Sequence, residues 1–156
     1  MLQYTAVDSA TLELLKNLMI EPAFCGLRLA GGTALALNIG HRRSVDIDLF
    51  GSMENDRFTI SQKLSGLGKI TLLNQTENIH VYLVNGIKVD LVNYPYPWLE
   101  NEVTTDGIRL AGAKDIAAMK LAAVTGRGTR KDFIDLYYLL KQFTLGEMLS
   151  FYEQKY

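Results

Sequence analysis

The sequence predicts a mixed α/β fold, a mixed sheet with flanking helices and a helical region towards the C-terminus. Three observations predict it. Short apolar runs with a period of two alternate with helical patterns through the first two-thirds. An Asn85-Gly86 pair stands between two such runs, the strongest short-range signal for a two-residue hairpin. From about residue 114 onward the apolar positions recur only at helical spacing.

Each element has a local reason. Asp8 or Ser9 caps a first helix on which Leu12, Leu15 and Met19 share a face, and Pro22 and Gly26 close it. Residues 27–30 form a short strand stopped by Gly31-Gly32, and residues 33–39 form a helix ended by Gly40. His41-Arg42-Arg43-Ser44 is a basic loop. Residues 45–50 (Val-Asp-Ile-Asp-Leu-Phe) alternate strictly and form a strand. Residues 56–67 are helical, anchored by Phe58, Ile60 and Leu64. Strands follow at 69–73, 79–84 and 87–92, then a loop with Pro95, Pro97 and Trp98. A short segment at 108–110 precedes three helices at 114–125, 131–143 and 145–152. At 156 residues the chain is one folding unit, 1–156, with a mixed α/β core at about 1–105 and a helical subdomain at about 106–156.

Composition excludes several classes. Hydrophobic residues are 48% and charged residues 21%, a globular balance. The net charge of −1 gives no bulk attraction to nucleic acid. A single cysteine, Cys25, allows no intramolecular disulfide and fits a reducing compartment. Asp8 and Glu13 interrupt the place of a signal peptide, and no apolar run is long enough for a membrane span. The expectation is a cytoplasmic protein with no membrane partner.

The chemistry-bearing residues start with Asp46 and Asp48. Two apart on a strand, they project from one face while Val45, Ile47 and Leu49 face a core. Paired carboxylates repel unless a cation lies between them, and hard oxygen donors suit Mg²⁺ or Mn²⁺. On the hairpin strand Ile87, Val89 and Leu91 take one face, leaving Asp90 on the other with Lys88 and Val92. If the two strands are neighbours, Asp90 completes a three-carboxylate site. Solvent-facing carboxylates on an exposed sheet face are the alternative, and Asp-x-Asp also occurs in metal-dependent glycosyltransferases. Upstream, Gly31-Gly32-Thr33 lies between strand and helix, where glycines permit close approach and free amides favour a phosphate; Thr33 is either a phosphate ligand or a plain N-cap.

The order strand, Gly31-Gly32-Thr33, helix, basic loop, Asp46-Ile47-Asp48-Leu49-Phe50, then Asp90 resembles the DNA polymerase β-like nucleotidyltransferase superfamily. The stretches Gly31-Gly32-Thr33-Ala34-Leu35-Ala36-Leu37 and His41 to Phe50 are similar, more closely, to the AbiEii/AbiGii-type toxin nucleotidyltransferases of abortive-infection toxin–antitoxin systems. Lys120, Arg127 and Lys131-Asp132-Phe133-Ile134-Asp135-Leu136-Tyr137 resemble that family's downstream motifs, so the likeness spans roughly residues 27–141. It implies transfer of a nucleoside monophosphate from a nucleoside triphosphate to an acceptor hydroxyl. Asp46, Asp48 and Asp90 would hold Mg²⁺ or Mn²⁺, and Asp90 would help deprotonate the acceptor. Gly31, Gly32 and Thr33 would cradle phosphates, and Lys120, Arg127 and Lys131 would neutralise them. Implied partners are an RNA acceptor such as a tRNA 3′ end and a cognate antitoxin. Transfer to a protein or small molecule, and a non-catalytic partner-binding module, are the alternatives.

The back motif has bland readings too. Cations near a helix end and Asp132 in a first turn complement helix dipoles. Asp132 and Asp135 either take part in catalysis, as the resemblance suggests, or pair with Lys120 and the arginines and orient them. Phe133, Leu136, Tyr137 and Leu140 read as core at helical spacing. Arg42 and Arg43 read as an exposed loop pair, and His41, His80 and Cys25 as structural.

Overall fold

Asp8 accepts a hydrogen bond from the Thr11 amide at 2.7 Å and starts helix α1, Ser9–Ile20, which buries Leu14, Leu15, Leu18 and Met19. The structure is a computed structural model and describes residues 1–54 and 56–156. Strand β1, Leu27–Leu29, leads directly into helix α2, Gly31–Ile39, which ends where Gly40 turns left-handed at φ 64°. The two glycines therefore form the first turn of α2 rather than a loop ahead of it, and Ala30 holds the N-cap position.

Strand β2, Ile47–Gly51, starts two residues later than the alternation predicts. Ile47 and Leu49 are fully buried, but Val45 is 49% exposed, because the chain before Ile47 has no strand beside it. Helix α3, Arg57–Ser65, is capped by Asp56 and buries Ile60 and Leu64, while Phe58 points out to solvent instead of anchoring it. Strands β3 (Ile70–Gln75), β4 (Ile79–Val84) and β5 (Ile87–Asn93) follow as antiparallel neighbours. Asn85 and Gly86 turn between the last two at φ 51° and 80°, the two positive values of a type I′ turn.

A second such turn escaped the sequence reading. Asp106 and Gly107, at φ 51° and 79°, join β6 (Val103–Thr105) to β7 (Ile108–Leu110). The boundary expected near residue 105 thus falls inside a hairpin of the sheet, and the helical region starts only at α4, Ala113–Gly126. Helices α5, Arg130–Leu139, and α6, Leu145–Lys155, each open on a capping box, from Thr129 and Thr144.

The sheet order is β3-β4-β5-β2-β1-β7-β6. Two of its pairings are parallel, β2 with β5 and β1 with β7. One apolar cluster runs from Leu2 through the strand residues Leu29, Ile47, Leu49, Val89 and Leu91 to Ile116, Leu139 and Met148, so α4 to α6 share the core of the sheet. Helix α5 contributes Leu139 and part of Leu136, whereas Phe133, Tyr137 and Leu140 are 53%, 59% and 42% exposed. The face expected to be core is the solvent face, because the inward positions are taken by Asp132 and Asp135. Among the described residues no helix is long and apolar enough to cross a membrane.

Candidate active site

The parallel pairing of β2 and β5 sets Asp48 directly opposite Asp90. Their buried neighbours Ile47, Leu49, Val89 and Leu91 fix the opposite face, so both aspartates stand on the side away from the core. Asp46 lies just outside the strand, and its carbonyl accepts the Thr33 hydroxyl. The adjacency that a three-carboxylate site requires is therefore present. The three carboxylates do not, however, close on one point: among the described residues, no three His, Cys, Asp or Glu side chains form a ready-made cation cage.

Lys88 is the reason on the Asp90 side. Its ammonium lies 3.0 Å from Asp90 Oδ1 and donates to Oδ2 at 3.3 Å. Oδ1 is buried and has no hydrogen bond of proper geometry. Burial works to lower the Lys88 pKa, but the Asp90 hydrogen bond and the charges of Asp90, Asp48 and Asp46 outweigh it and raise it. Asp48 has no such relief. Burial first, then repulsion from Asp90, pushes its carboxyl up to about 6, with Lys88 and Arg127 only partly offsetting them.

The glycines are required by what approaches them. Gly31 stands at φ 67°, and a β-carbon there would come within 2.8 Å of Asp48 Oδ2. A β-carbon on Gly32 would overlap the Arg42 guanidinium, which passes over the start of α2. Thr33 is buried and fastens the backbone that leads into β2. It donates to the Asp46 carbonyl, so its hydroxyl accepts from Ser44 Oγ at 2.6 Å, while the Ala30 amide holds the Asp48 carbonyl at 2.9 Å. This corrects the expectation that the Thr33 side chain caps the helix or cradles a phosphate: its hydroxyl is fully used inside the fold.

Behind the carboxylates lies a lattice of opposite charges. Lys120, buried on α4, reaches Asp132 at 3.0 Å and Asp135 at 2.9 Å. Arg127 grips Asp132 with two nitrogens at 2.8 and 2.9 Å, and Arg42 grips Asp135 at 2.7 and 2.9 Å. His41 Nε2 adds a contact to Asp135 at 2.6 Å. The Arg127 hydrogen bond and those from Thr129 and Lys120 hold Asp132 far below the usual carboxylate range despite burial. Burial alone would raise Asp135, yet Arg42, His41 and Lys120 hold it down at about 2. Both carboxyl groups are wholly buried and bonded to cations, the arrangement expected if Asp132 and Asp135 orient Lys120 and the arginines, although Asp132 also lies at the cleft wall. Arg42, read from sequence as an exposed loop pair with Arg43, and His41 are members of this lattice.

These elements enclose a cleft of about 400 Å³. Asp46, Asp48 and Asp132 line it together with Gly32, Ser44 and Thr129 and the cations Arg42, Lys88, Lys120, Arg127, Arg130 and Lys131. Gly32, Lys120, Arg127 and Lys131 thus lie together as expected. Asp90 and Gly31 instead line an adjoining cavity of about 230 Å³ that meets the first at Asp48. Carboxylates beside six cationic side chains suit a polyanion carrying hard cations.

Residues 13–90, half of the chain, match the family model described as nucleotidyl transferase AbiEii toxin, type IV TA system. The chain belongs to that AbiEii nucleotidyltransferase toxin family. An uncharacterized protein of Aquifex aeolicus (strain VF5) is 42% identical over 134 residues, covering 82% of this chain. The chain spans 65% of the length of that relative. Among solved structures it is similar to the antibiotic-resistance factor ANT(2'')-Ia, with a TM-score of 0.71, 13% identity, and coverage of 94% of this chain and 91% of the other. JHP933 from Helicobacter pylori gives 0.59 at 22% identity over 95% of this chain and 73% of that one. The Megavirus polyadenylate synthase gives 0.61 at 18% identity over 88% and 31%. At these identities the likenesses show a shared nucleotidyltransferase fold.

The sequence reading left three members of the site out of its candidates. Lys88 was visible as an i, i+2 neighbour of Asp90 on the same strand face, and that spacing could have flagged it. Arg42 and His41 carried no local signal, since their partner Asp135 is more than ninety residues away in sequence.

Proposed function

We propose that this AbiEii-family chain transfers a nucleoside monophosphate from a nucleoside triphosphate to an acceptor hydroxyl, releasing pyrophosphate. The observation that carries this reading is the direct register of Asp48 and Asp90 on parallel neighbours, with Asp48 lining both a cation-rich cleft and the adjoining cavity that Asp90 lines. The acceptor is an RNA end such as a tRNA 3′ terminus, and the chain acts as a cytoplasmic toxin held in check by a cognate antitoxin.

The residues fit a hard divalent cation. Asp48 is raised to about 6 by burial and by Asp90, the mark of carboxylates short of positive charge, and Asp90 Oδ1 is buried without a hydrogen bond. Asp46, Asp48 and Asp90 would hold Mg²⁺ or Mn²⁺, which when bound supplies charge neutralisation at the reacting phosphate and favours the ionised acceptor. The protein does the rest. Gly32 and its helix N-terminus, with Arg42, Arg127, Arg130 and Lys131, orient the triphosphate and stabilise charge on the leaving pyrophosphate. Lys120, anchored by Asp132 and Asp135, fixes the height of the cationic wall. Asp90 takes the proton of the acceptor hydroxyl. The acceptor oxygen then bonds the α-phosphorus, and the bond from that phosphorus to the bridging oxygen breaks with its electron pair on pyrophosphate.

The test is incubation with α-labelled nucleoside triphosphates, Mg²⁺ and total RNA, with calorimetry of triphosphate binding alongside. Label on RNA, lost together with Mg²⁺-dependent triphosphate binding in Asp46→Ala, is the expected result. Unchanged labelling and affinity in Asp46→Ala would remove the site, and label on protein alone would replace the acceptor.

A further inference from the structure

The cleft and its neighbour meet at Asp48 but differ in chemistry. Asp46 lines only the cationic cleft, and Asp90 lines only the second cavity. The second cavity is walled by Phe50, Tyr94, Met119 and Tyr156, with Ala122 and Ala123 of α4 forming part of its side. Its rings are held in place rather than loose. Tyr94 meets Phe50 edge-on, with centroids 5.2 Å apart, and its hydroxyl lies 2.5 Å from that of Tyr156. The Lys155 ammonium, fixed by Asp115 at 2.7 Å, sits 5.0 Å from the Tyr94 ring. Burial and the shared hydrogen bond with Tyr156 raise the Tyr94 phenol, so this wall is neutral across ordinary pH.

We infer that this second cavity is the acceptor subsite, and that it takes a single nucleotide unit, its base against Tyr94, Phe50 and Met119 and its sugar hydroxyl towards Asp90. The inference rests on the transferase reading above and adds to it the place of the acceptor and the side chains that receive its terminal unit. Three features point to a nucleotide. At about 230 Å³ the cavity holds one heterocycle with its sugar and excludes a folded surface. Its apolar rings offer stacking, which tolerates any base because each has a π-face. Arg127 lines both cavities and its side chain is 65% exposed, so it complements a phosphate attached to the acceptor.

The test fills the cavity and leaves the cleft alone. Ala123→Phe should weaken binding of adenosine 5′-monophosphate, and of a short single-stranded RNA ending in adenosine, by about tenfold or more in calorimetry. Mg²⁺-dependent binding of a non-hydrolysable nucleoside triphosphate analogue should stay within about twofold. Tyr156→Ala, at a residue 39% exposed, removes one wall without filling the space and should raise the acceptor KM several-fold while leaving the triphosphate KM in place. Tighter binding of the RNA than of the mononucleotide identifies the acceptor as an RNA end; equal binding identifies a free nucleotide. Acceptor binding unchanged in Ala123→Phe, no acceptor binding in the unmodified protein, or label carried only by protein would each overturn the subsite. Because triphosphate binding and its loss in Asp46→Ala are measured separately, the transferase reading survives or falls on its own.

Discussion

Two sets of aspartates flank Lys120 and stand in opposite electrostatic states. Asp132 and Asp135 are wholly buried, yet each is gripped by two or more cations and its carboxyl is driven far down or to about 2. Asp48 is driven up to about 6, by burial first and then by repulsion from Asp90, its opposite number on the neighbouring strand. The same side chain is satisfied in one place and repelled in the other. Satisfied acids hold a scaffold rigid; repelled acids are ready to receive a cation and a phosphate. The distinction also explains why Gly31 and Gly32 occur together, one making room for Asp48 and the other for Arg42 on its way to Asp135.

The comparison breaks most sharply at Asp135. Asp135→Ala would take the carboxylate away from Arg42 and His41 and leave Lys120 with Asp132 alone, and removal of one partner from a buried ionic network costs about 3–5 kcal/mol. The expected result is a fall of that size in denaturant unfolding, with loss of triphosphate binding as Lys120 shifts. A variant as stable as the parent would show that the lattice is ornamental. The opposite sign is expected on the other side. Asp48→Asn removes a repelled charge, so at neutral pH in the presence of a metal chelator it should stabilise the protein by about 1–2 kcal/mol. Transfer activity should nonetheless vanish. A destabilised Asp48→Asn would contradict the repulsion argued here.

How much of this was legible in sequence follows from the range of each interaction. Alternation along 45–50 and 87–92, joined to the Asn85-Gly86 turn, sufficed to put Asp48 and Asp90 on outward faces, because strand geometry is local. The helix starts at Asp8, Asp56 and Thr144 were legible for the same reason. The pairing of Lys88 with Asp90 was within reach but unread, as was the Asp106-Gly107 turn. Arg42 and His41 were out of reach, since nothing near them names Asp135. Thr33 was misread because a threonine beside glycines signals a cap in most settings, whereas here its hydroxyl is drawn inward by the Asp46 carbonyl and Ser44.

Helix α5 carries the clearest misreading and the smallest expected effect. Its sequence offers two helical stripes. One is apolar, through Phe133, Tyr137 and Leu140; the other runs Asp132, Asp135 and Leu139, and its two acids hide it from any hydrophobicity criterion. The structure turns the second stripe inward, because seven short contacts to Lys120, Arg127, Arg42 and His41 replace what apolar burial would supply. Leu139, fully buried, should therefore behave as core, with Leu139→Ala losing about 2–5 kcal/mol. Phe133→Ser, at a ring 53% exposed, should stay within about 0.5 kcal/mol of the parent in the same unfolding measurement. A loss at Phe133 comparable to that at Leu139 would mean that α5 is rotated about its axis in solution. Asp132 and Asp135 would then face water, and Lys120 would lose the anchors that hold the cationic wall.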